Sequence, residues 1–242
     1  MSIVAGVKRR LARRLHEREA RAVLDTRPME PANDGLVLFS MIGSAVIVPY
    51  LIAVKSLHRQ LKRGRGVLLD GGTLTPADRA LLGRHLGDPR IIPIASVDTA
   101  PCPQGGTWER LLSILDLRST DYVIQIDSDT VAIGEVPEVA DAIAANRSFT
   151  LAGGAREAEL GFVPIPEFAS LFYPGGPESG HIVAESESRF AQLPAPESRL
   201  YARGCSGFAG FARGGPGREA AERFSVEAQS LVGERWREWG TE

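Results

Sequence analysis

Apolar residues fall in short blocks along the first half of the chain, and successive blocks differ in period. Residues 36–41 (LVLFSM) form a nearly unbroken apolar run, the pattern of a strand buried on both faces. Beyond it Ile47, Leu51, Val54, Leu57 and Leu61 recur at spacings of three and four. That is one face of a helix, and Pro49 suits its first turn. Residues 66–70 (GVLLD) predict a second strand ending at Gly71-Gly72. Thr75 then caps a helix with Pro76 at its first position and Leu81, Leu82 and Leu86 along it, and Gly87 and Pro89 stop it. Residues 90–97 (RIIPIASV) predict a third strand, which Pro93 restricts to an irregular or edge position. A further helix opens at Gly105-Gly106-Thr107 and carries Leu111, Leu112, Ile114, Leu115 and Leu117. Residues 122–126 (YVIQI) predict the fourth strand.

Strands that alternate with helices of this length imply an α/β fold. Its central sheet is mostly parallel, Rossmann-like, with helices on both faces. One stretch competes with that assignment. Residues 35–54 run for 20 positions without a charge, the length of a membrane span. Ser40, Gly43, Ser44 and Pro49 interrupt it, so a strand, a turn and a helix are predicted instead. The second half is less regular. Residues 151–204 are rich in Pro, Gly and Glu, with FVPIPEF and FYPGGPESG expected as turns between short strands. Residues 217–239 predict a helical segment interrupted at Gly233.

A length of 242 residues suffices for one sizeable core, and the hydrophobic share of 43% is ordinary for a globular chain. The net charge of −2 gives no basis for a nucleic-acid partner, and none is expected. It hides an asymmetry. Within residues 1–22, Lys8, Arg9, Arg10, Arg13, Arg14, Arg18 and Arg21 face only Glu17 and Glu19. Ile3, Val7, Leu11 and Leu15 recur every four residues among them, so residues 1–30 predict a basic amphipathic segment. Such a helix can lie on an anionic membrane surface. Two distant cysteines, Cys102 and Cys205, suit a reducing cytosol. The expected location is therefore cytoplasmic, at the inner membrane face if the segment binds lipid.

The fourth strand ends in Asp127-Ser128-Asp129. Ligands of parallel α/β sheets bind beyond the carboxyl ends of the strands. Two adjacent carboxylates there repel one another and are costly to desolvate. A hard divalent cation, Mn2+ or Mg2+, offsets both terms. The competing explanation is a turn cap beside a solvated carboxylate.

IDSDTV after an apolar strand resembles the Asp-X-Asp motif of nucleotide-sugar glycosyltransferases with the GT-A fold. It most resembles the family that includes glycogenin and bacterial lipopolysaccharide galactosyltransferases. VLFSMIGSAVIVPYLIAVKSLHRQ is similar to that family's first strand, donor loop and helix, TWERLLSILDL to its arginine-bearing helix, and GCSGFAGFARG to its later Asn-Ser-Gly strand. The resemblance covers residues 35–242. It implies a donor-binding half over residues 35–150 and an acceptor-side half over 151–242. It further implies transfer from a nucleoside diphosphate sugar, a UDP-sugar first, to a glycan, lipid-linked or protein acceptor. Asp127 and Asp129 would hold the metal. Ser40, Met41, Ile42, Gly43, Arg110 and Ser128 would meet the donor, and Cys205, Ser206, Gly207 and Glu242 the sugar or acceptor. The alternative for Arg110 is a solvated surface arginine.

The chain departs from the family in two places. Cys205 stands where the family has asparagine, and none of His16, His58, His85 and His181 matches its C-terminal metal-binding histidine. Glu242 falls where the family has the acidic residue of an Asp-Gln pair that opens a further helix. The expectation drawn from this is an incomplete enzyme, with the histidine ligand on a missing portion. Glu185 and Glu187 are candidate bases, neither preferred, and His181 is expected as a solvated loop residue. Two other functions compete. A haloacid dehalogenase-type phosphatase matches Asp127, Asp129 and Val131, but residues 132–242 contain no lysine and only one aspartate, Asp141. The other is a glycosyltransferase-like domain that binds a nucleotide or glycan without turnover.

Overall fold

A computed structural model of the chain describes residues 12, 14–105, 107–177 and 179–241. Its elements run in the alternating order the periodicity predicts. They are β1 (Leu36–Ile42), α1 (Ile47–Leu61), β2 (Arg65–Asp70), α2 (Pro76–Leu86), β3 (Arg90–Pro93), α3 (Trp108–Leu117) and β4 (Tyr122–Ile126). The second half adds α4 (Pro137–Ala144), β5 (Phe149–Ala152), α5 (Ala155–Leu160), β6 (Val163–Pro164), α6 (Ile165–Phe172) and α7 (Ile182–Glu187). It ends with β7 (Leu200–Tyr201), β8 (Gly204–Phe211) and α8 (Arg218–Val232). Six strands hydrogen-bond in the order β3-β2-β1-β4-β8-β5, and β6 and β7 form a small antiparallel pair. The fold class is α/β, with a mostly parallel central sheet flanked by helices.

The chain divides into two compact units, residues 1–93 with 124–141, and residues 94–123 with 142–242. In the first, β1 pairs in parallel with β2, and β2 with β3. Leu36, Val37, Leu38 and Phe39 are wholly buried, as a strand covered on both faces requires. The 20-residue apolar stretch is thus divided between β1 and α1. No described helix is long and apolar enough to cross a membrane. In α1 the buried positions are Ile47, Tyr50, Leu51, Ala53, Val54 and Leu57, the predicted stripe widened by Tyr50 and Ala53 but without Leu61, which is only half-buried. Thr75 and Asp78 close a reciprocal capping box on α2, with Pro76 in the first turn. The third strand ends at Pro93, shorter than the predicted 90–97, because the chain passes into a 3-10 turn at Ile94–Ser96. Proline lacks the ladder donor, and β3 lies at the sheet edge accordingly.

At the N-terminus, residues 14–20 are helical and Leu15 is 55% exposed. Ile3, Val7 and Leu11 lie outside the described residues.

The second unit is built around α3 and α8. On α3 only Leu111 and Asp116 escape burial, and even Glu109, Arg110 and Ser113 are enclosed. Trp108 packs on Trp236 with ring centroids 6.0 Å apart, and Leu112, Phe190, Leu193 and Ala228 complete that core. The leucine and phenylalanine side chains there each contribute roughly 1.5–3 kcal/mol on burial. The indole nitrogens are satisfied: Trp108 donates to Thr241 Oγ1 at 3.0 Å and Trp236 to Ser225 Oγ at 2.8 Å. The helical segment from Gly217 onward does break at Gly233, where a 3-10 turn (Gly233–Arg237) follows α8. FVPIPEF is not a turn between strands. Val163 and Pro164 pair in β6, and Pro166 then sits in the first turn of α6.

Candidate functional site

The carboxyl ends of β1, β2 and β4 belong to the first unit, and hydrogen bonds fix each. Ser40, 1% exposed, donates from Oγ to the Ile126 carbonyl at 2.6 Å. That bond joins β1 to the last residue of β4. Asp127, Ser128 and Asp129 follow immediately in a turn closed by Thr130 N–H donating to Asp127 O at 3.1 Å. Asp127 and Ser128 are half-buried and Asp129 is exposed. A buried strand therefore delivers two carboxylates to one turn at its carboxyl end. The sequence predicts this placement, and the structure reproduces it.

Met41, Ile42 and Gly43 lead out of β1 beside the first residues after β2. Gly71 N–H donates to Ile42 O at 2.9 Å, and Ser44 N–H to Thr73 Oγ1 at 3.1 Å. Ser44 Oγ lies within reach of both the Thr73 carbonyl and Asp78 Oδ2, the latter at 2.7 Å. The hydrogen bond from Ser44, with others from Thr75, holds the Asp78 carboxyl below the ordinary carboxylate range. A β-carbon on Gly43 would come within 2.3 Å of Thr73 Oγ1, so the close approach of these two loops needs glycine. Asp70, 3% exposed, accepts from Gly72 N–H at 2.8 Å and Leu74 N–H at 3.3 Å, and pairs with Arg79. Tyr50 is fully enclosed under this edge. Burial pushes its phenol well up, and its hydroxyl has no hydrogen-bond partner among the described residues.

Thr73, Ser44, Asp78, Asp70 and Tyr50 were not among the residues the motifs single out. Their contacts join positions 29 or more apart in the case of Ser44, and no local spacing signals them.

Two carboxylates on one turn are oxygen donors of the kind a hard divalent cation takes. Among the described residues, no group of three or more His, Cys, Asp and Glu side chains forms a self-sufficient metal cage.

In the second unit Arg110 is only 8% exposed, not a solvated surface arginine. It sits in the first turn of α3, its N–H donating to Thr107 O at 3.1 Å. Cys205 and Ser206 are exposed at the start of β8, Gly207 is half-buried, and Gly207 N–H approaches Cys205 Sγ at 3.4 Å. Glu242 lies outside the described residues. Of the two candidate bases, Glu187 is 2% exposed and saturated by Tyr173, Tyr201 and Arg203, while Glu185 pairs with Arg189. A carboxylate enclosed by those three donors is in no position to take a proton from a substrate. His181 is not simply a loop residue, since its Nδ1 caps α7 by accepting from Val183 N–H at 3.2 Å.

No protein-family model matches the chain, and no curated protein matches it in sequence. Solved structures do match by fold. A galactosyltransferase, LgtC, in complex with donor and acceptor sugar analogs aligns with a TM-score of 0.50 at 13% identity. The alignment covers 81% of this chain and 66% of that one, so the present chain spans just under two thirds of the galactosyltransferase's length. Mouse xyloside xylosyltransferase 1 in its apo form aligns with a TM-score of 0.40 at 13% identity, covering 86% of this chain and 73% of that one. Core-mannan synthase A from Aspergillus fumigatus, in an Mn/GDP form, aligns at 0.46 and 10%, covering 90% and 71%. The likeness in fold is thus to the galactosyltransferase structure.

Proposed function

We propose that this chain is a glycosyltransferase that uses a nucleoside diphosphate sugar, a UDP-sugar first, with Mn2+ or Mg2+ held by Asp127 and Asp129. The acceptor is a glycan, a lipid-linked glycan or a protein. The observation that carries the proposal is the turn 127–130 at the end of β4, tied to β1 by the Ser40–Ile126 hydrogen bond. Glycosyl transfer needs charge to be neutralised on a departing diphosphate, and a divalent cation supplies that when bound.

The side chains divide the work as follows. Asp129, exposed at the turn, offers its carboxylate to the cation directly. Asp127, half-buried one position beyond the strand, offers its own directly or through water, and can accept from a ribose hydroxyl. Ser128 stands between them. Ser40 is spent on Ile126, so its part is to hold the turn against β1 rather than to touch the donor. Met41 and Gly43, half-buried on either side of the buried Ile42, present backbone and apolar surface suited to a nucleoside. In the second unit, Arg110 at the N-terminal turn of α3 is assigned to donor oxygens. Cys205, Ser206 and Gly207 are assigned to the transferred sugar or acceptor.

The deciding experiment is hydrolysis of UDP-glucose, UDP-galactose and a GDP-sugar with and without manganese. Manganese-dependent release of free sugar supports the proposal. Manganese-dependent nucleotide binding without release assigns the chain to the non-catalytic alternative. Absence of both overturns the nucleotide-sugar reading.

A further inference from the structure

Arg118 follows the last turn of α3 and is 8% exposed, yet no acidic side chain among the described residues pairs with it. Burial alone lowers its guanidinium from the ordinary 12.5, with no carboxylate opposing the shift. Its Nε donates to Ala212 O at 2.8 Å, and its carbonyl accepts from Gly214 N–H at 2.7 Å. Nη1 and Nη2 have no partner among the described residues and, unlike the Tyr50 hydroxyl, are not sealed from solvent. An enclosed guanidinium of this kind is short of counter-charge, and its two idle nitrogens form a planar fork that matches phosphate oxygens.

The fork lies against residues 212–217 (ARGGPG), the loop that leads from β8 into α8. A β-carbon on Gly215 would fall 1.7 Å from Nη2 and 2.9 Å from Nη1. Gly215 is not one of the left-handed glycines, so it is the arginine that excludes a side chain there. Asn146 clamps the start of the loop, accepting from Arg213 N–H at 2.8 Å and donating to Arg213 O at 3.1 Å. At the other end Gly217 is the N-cap of α8, a helix of 15 residues, and no side chain caps it. A helix leaves its first N–H groups unbonded and its N-terminus partly positive. The N–H groups of Gly215 and Gly217 are also unbonded among the described residues. Arg218 is spent on Asp116, at 3.1 Å, and on the Asp98 carbonyl. Glu219, exposed in the first turn of α8, is the acidic side chain that competes with an anion here.

We propose that Arg118, the loop 215–217 and the first turn of α8 form a binding site for a phosphate dianion, free or as the monoester end of a larger molecule. The guanidinium supplies charge and a planar pair of donors, and the loop and helix N–H groups supply the rest. The site belongs to the second unit, and Arg118 precedes β4 whereas Asp127 and Asp129 follow it. It does not rest on the glycosyltransferase reading, and it uses no metal.

Phosphorus NMR titration of the full chain with inorganic phosphate and with phosphoserine tests the site. EDTA throughout removes any binding through a cation at the 127–130 turn, and chloride holds the ionic strength constant. Gly217→Asp is the central variant. Its φ of −85° and ψ of −163° suit any residue, and a β-carbon there meets only Glu219 Oε2, at 3.6 Å. The new carboxylate would cap α8 in place of the anion. Phosphate binding should weaken at least about tenfold, while the midpoint of thermal unfolding holds or rises. Arg118→Met, which keeps the length and removes the charge, should weaken binding as much, and Glu219→Gln should tighten it severalfold by removing a competitor. Should Arg118→Met not fold, Gly217→Asp decides alone. Phosphatidylcholine vesicles with and without phosphatidic acid separate the two sources of the ligand. Phosphatidic acid-dependent binding that Gly217→Asp abolishes marks a lipid headgroup, and phosphoserine binding that it abolishes marks a soluble ester. Phosphate or phosphoserine binding left unchanged by Gly217→Asp overturns the proposal. So does a wild type that binds neither of them and shows no phosphatidic acid-dependent vesicle binding. Failure of manganese-dependent UDP binding in the same protein bears on the glycosyltransferase reading alone.

Discussion

The Ser40 hydroxyl donates a 2.6 Å hydrogen bond to the carbonyl of Ile126, the residue directly before Asp127. One buried side chain on β1 thus sets where β4 releases its two carboxylates. Removing it leaves a buried carbonyl short of a partner, and a hydrogen bond of this kind is worth about 1 kcal/mol net. Ser40→Ala should lower stability by about 1–2 kcal/mol in urea denaturation and weaken manganese-dependent UDP binding severalfold. Ser40→Thr should not substitute, because an added methyl has no room at a site 1% exposed. Full nucleotide affinity in Ser40→Ala would detach the turn from β1.

Asp129→Asn should abolish manganese-dependent UDP binding, and Asp127→Asn should weaken it at least tenfold, about 1.4 kcal/mol. Neither should cost much stability, since losing one of two like charges relieves repulsion. Calorimetric titration of each variant with UDP, with and without manganese, checks both statements. Undiminished metal-dependent affinity in Asp129→Asn would remove the metal site from this turn.

The order of strands and helices up to β4 was legible because each element carries its own period and its own stop signal. Thr75, Pro76 and Gly87 bracket α2 as read, and Pro93 does mark an edge strand. Asp127 and Asp129 were legible for the same reason, since an abrupt pair of charges after a buried strand is a local event. Contacts between distant positions were not. Nothing near Glu187 in sequence signals that Tyr173, Tyr201 and Arg203 surround it, and as a loop glutamate it read as a candidate base. The burial of Arg110 was hidden in the same way. A charge at a helix start can be solvated or enclosed, and only the packing of α3, where all but Leu111 and Asp116 are buried, decides it.

Gly43 and Thr73 make a pair that a double-mutant cycle can resolve. Gly43→Ala drives a methyl to 2.3 Å from Thr73 Oγ1, and overpacking of this sort costs about 1–3 kcal/mol. Thr73→Ala removes the offending oxygen, and the next atom, Thr73 Cβ, lies at an ordinary 3.7 Å. The double variant should therefore be less destabilised than the sum of the two single ones, by about 0.5 kcal/mol or more. Strict additivity in thermal denaturation would place the two loops farther apart than described.

The last prediction concerns acid stability and the segment leading into β1. His85, 3% exposed on α2, has Nδ1 3.1 Å from Lys55 Nζ, and Lys55 in turn donates to Thr26 Oγ1 at 2.6 Å. The His85 carbonyl accepts from Met29 N–H at 2.9 Å, so this cluster docks residues 26–29 on α1 and α2. Burial, then the charges of Lys55 and Arg84, holds the His85 imidazole below its ordinary 6.5. His58 is shifted the same way by burial, with its hydrogen bond to the Glu30 backbone and the charges of Glu30 and Asp34 opposing. A depressed folded-state value means that the unfolded chain takes up the proton first. The contribution is therefore complete above about pH 6.5 and is lost as pH falls through the folded value. Lys55 stays protonated throughout that window, even though burial lowers its own value from 10.5. Asp78 and Glu227, both depressed from ordinary values of 3.8 and 4.5, act only at lower pH. The midpoint of thermal unfolding should thus fall between pH 7 and 5.5, by about 2–4 °C for each kcal/mol lost at this chain length. His85→Gln should flatten that part of the profile while leaving the fall below pH 4.5 in place. A wild-type profile already flat from pH 7 to 5.5, or one unchanged in His85→Gln, would show that the histidine does not meet Lys55 as a neutral acceptor.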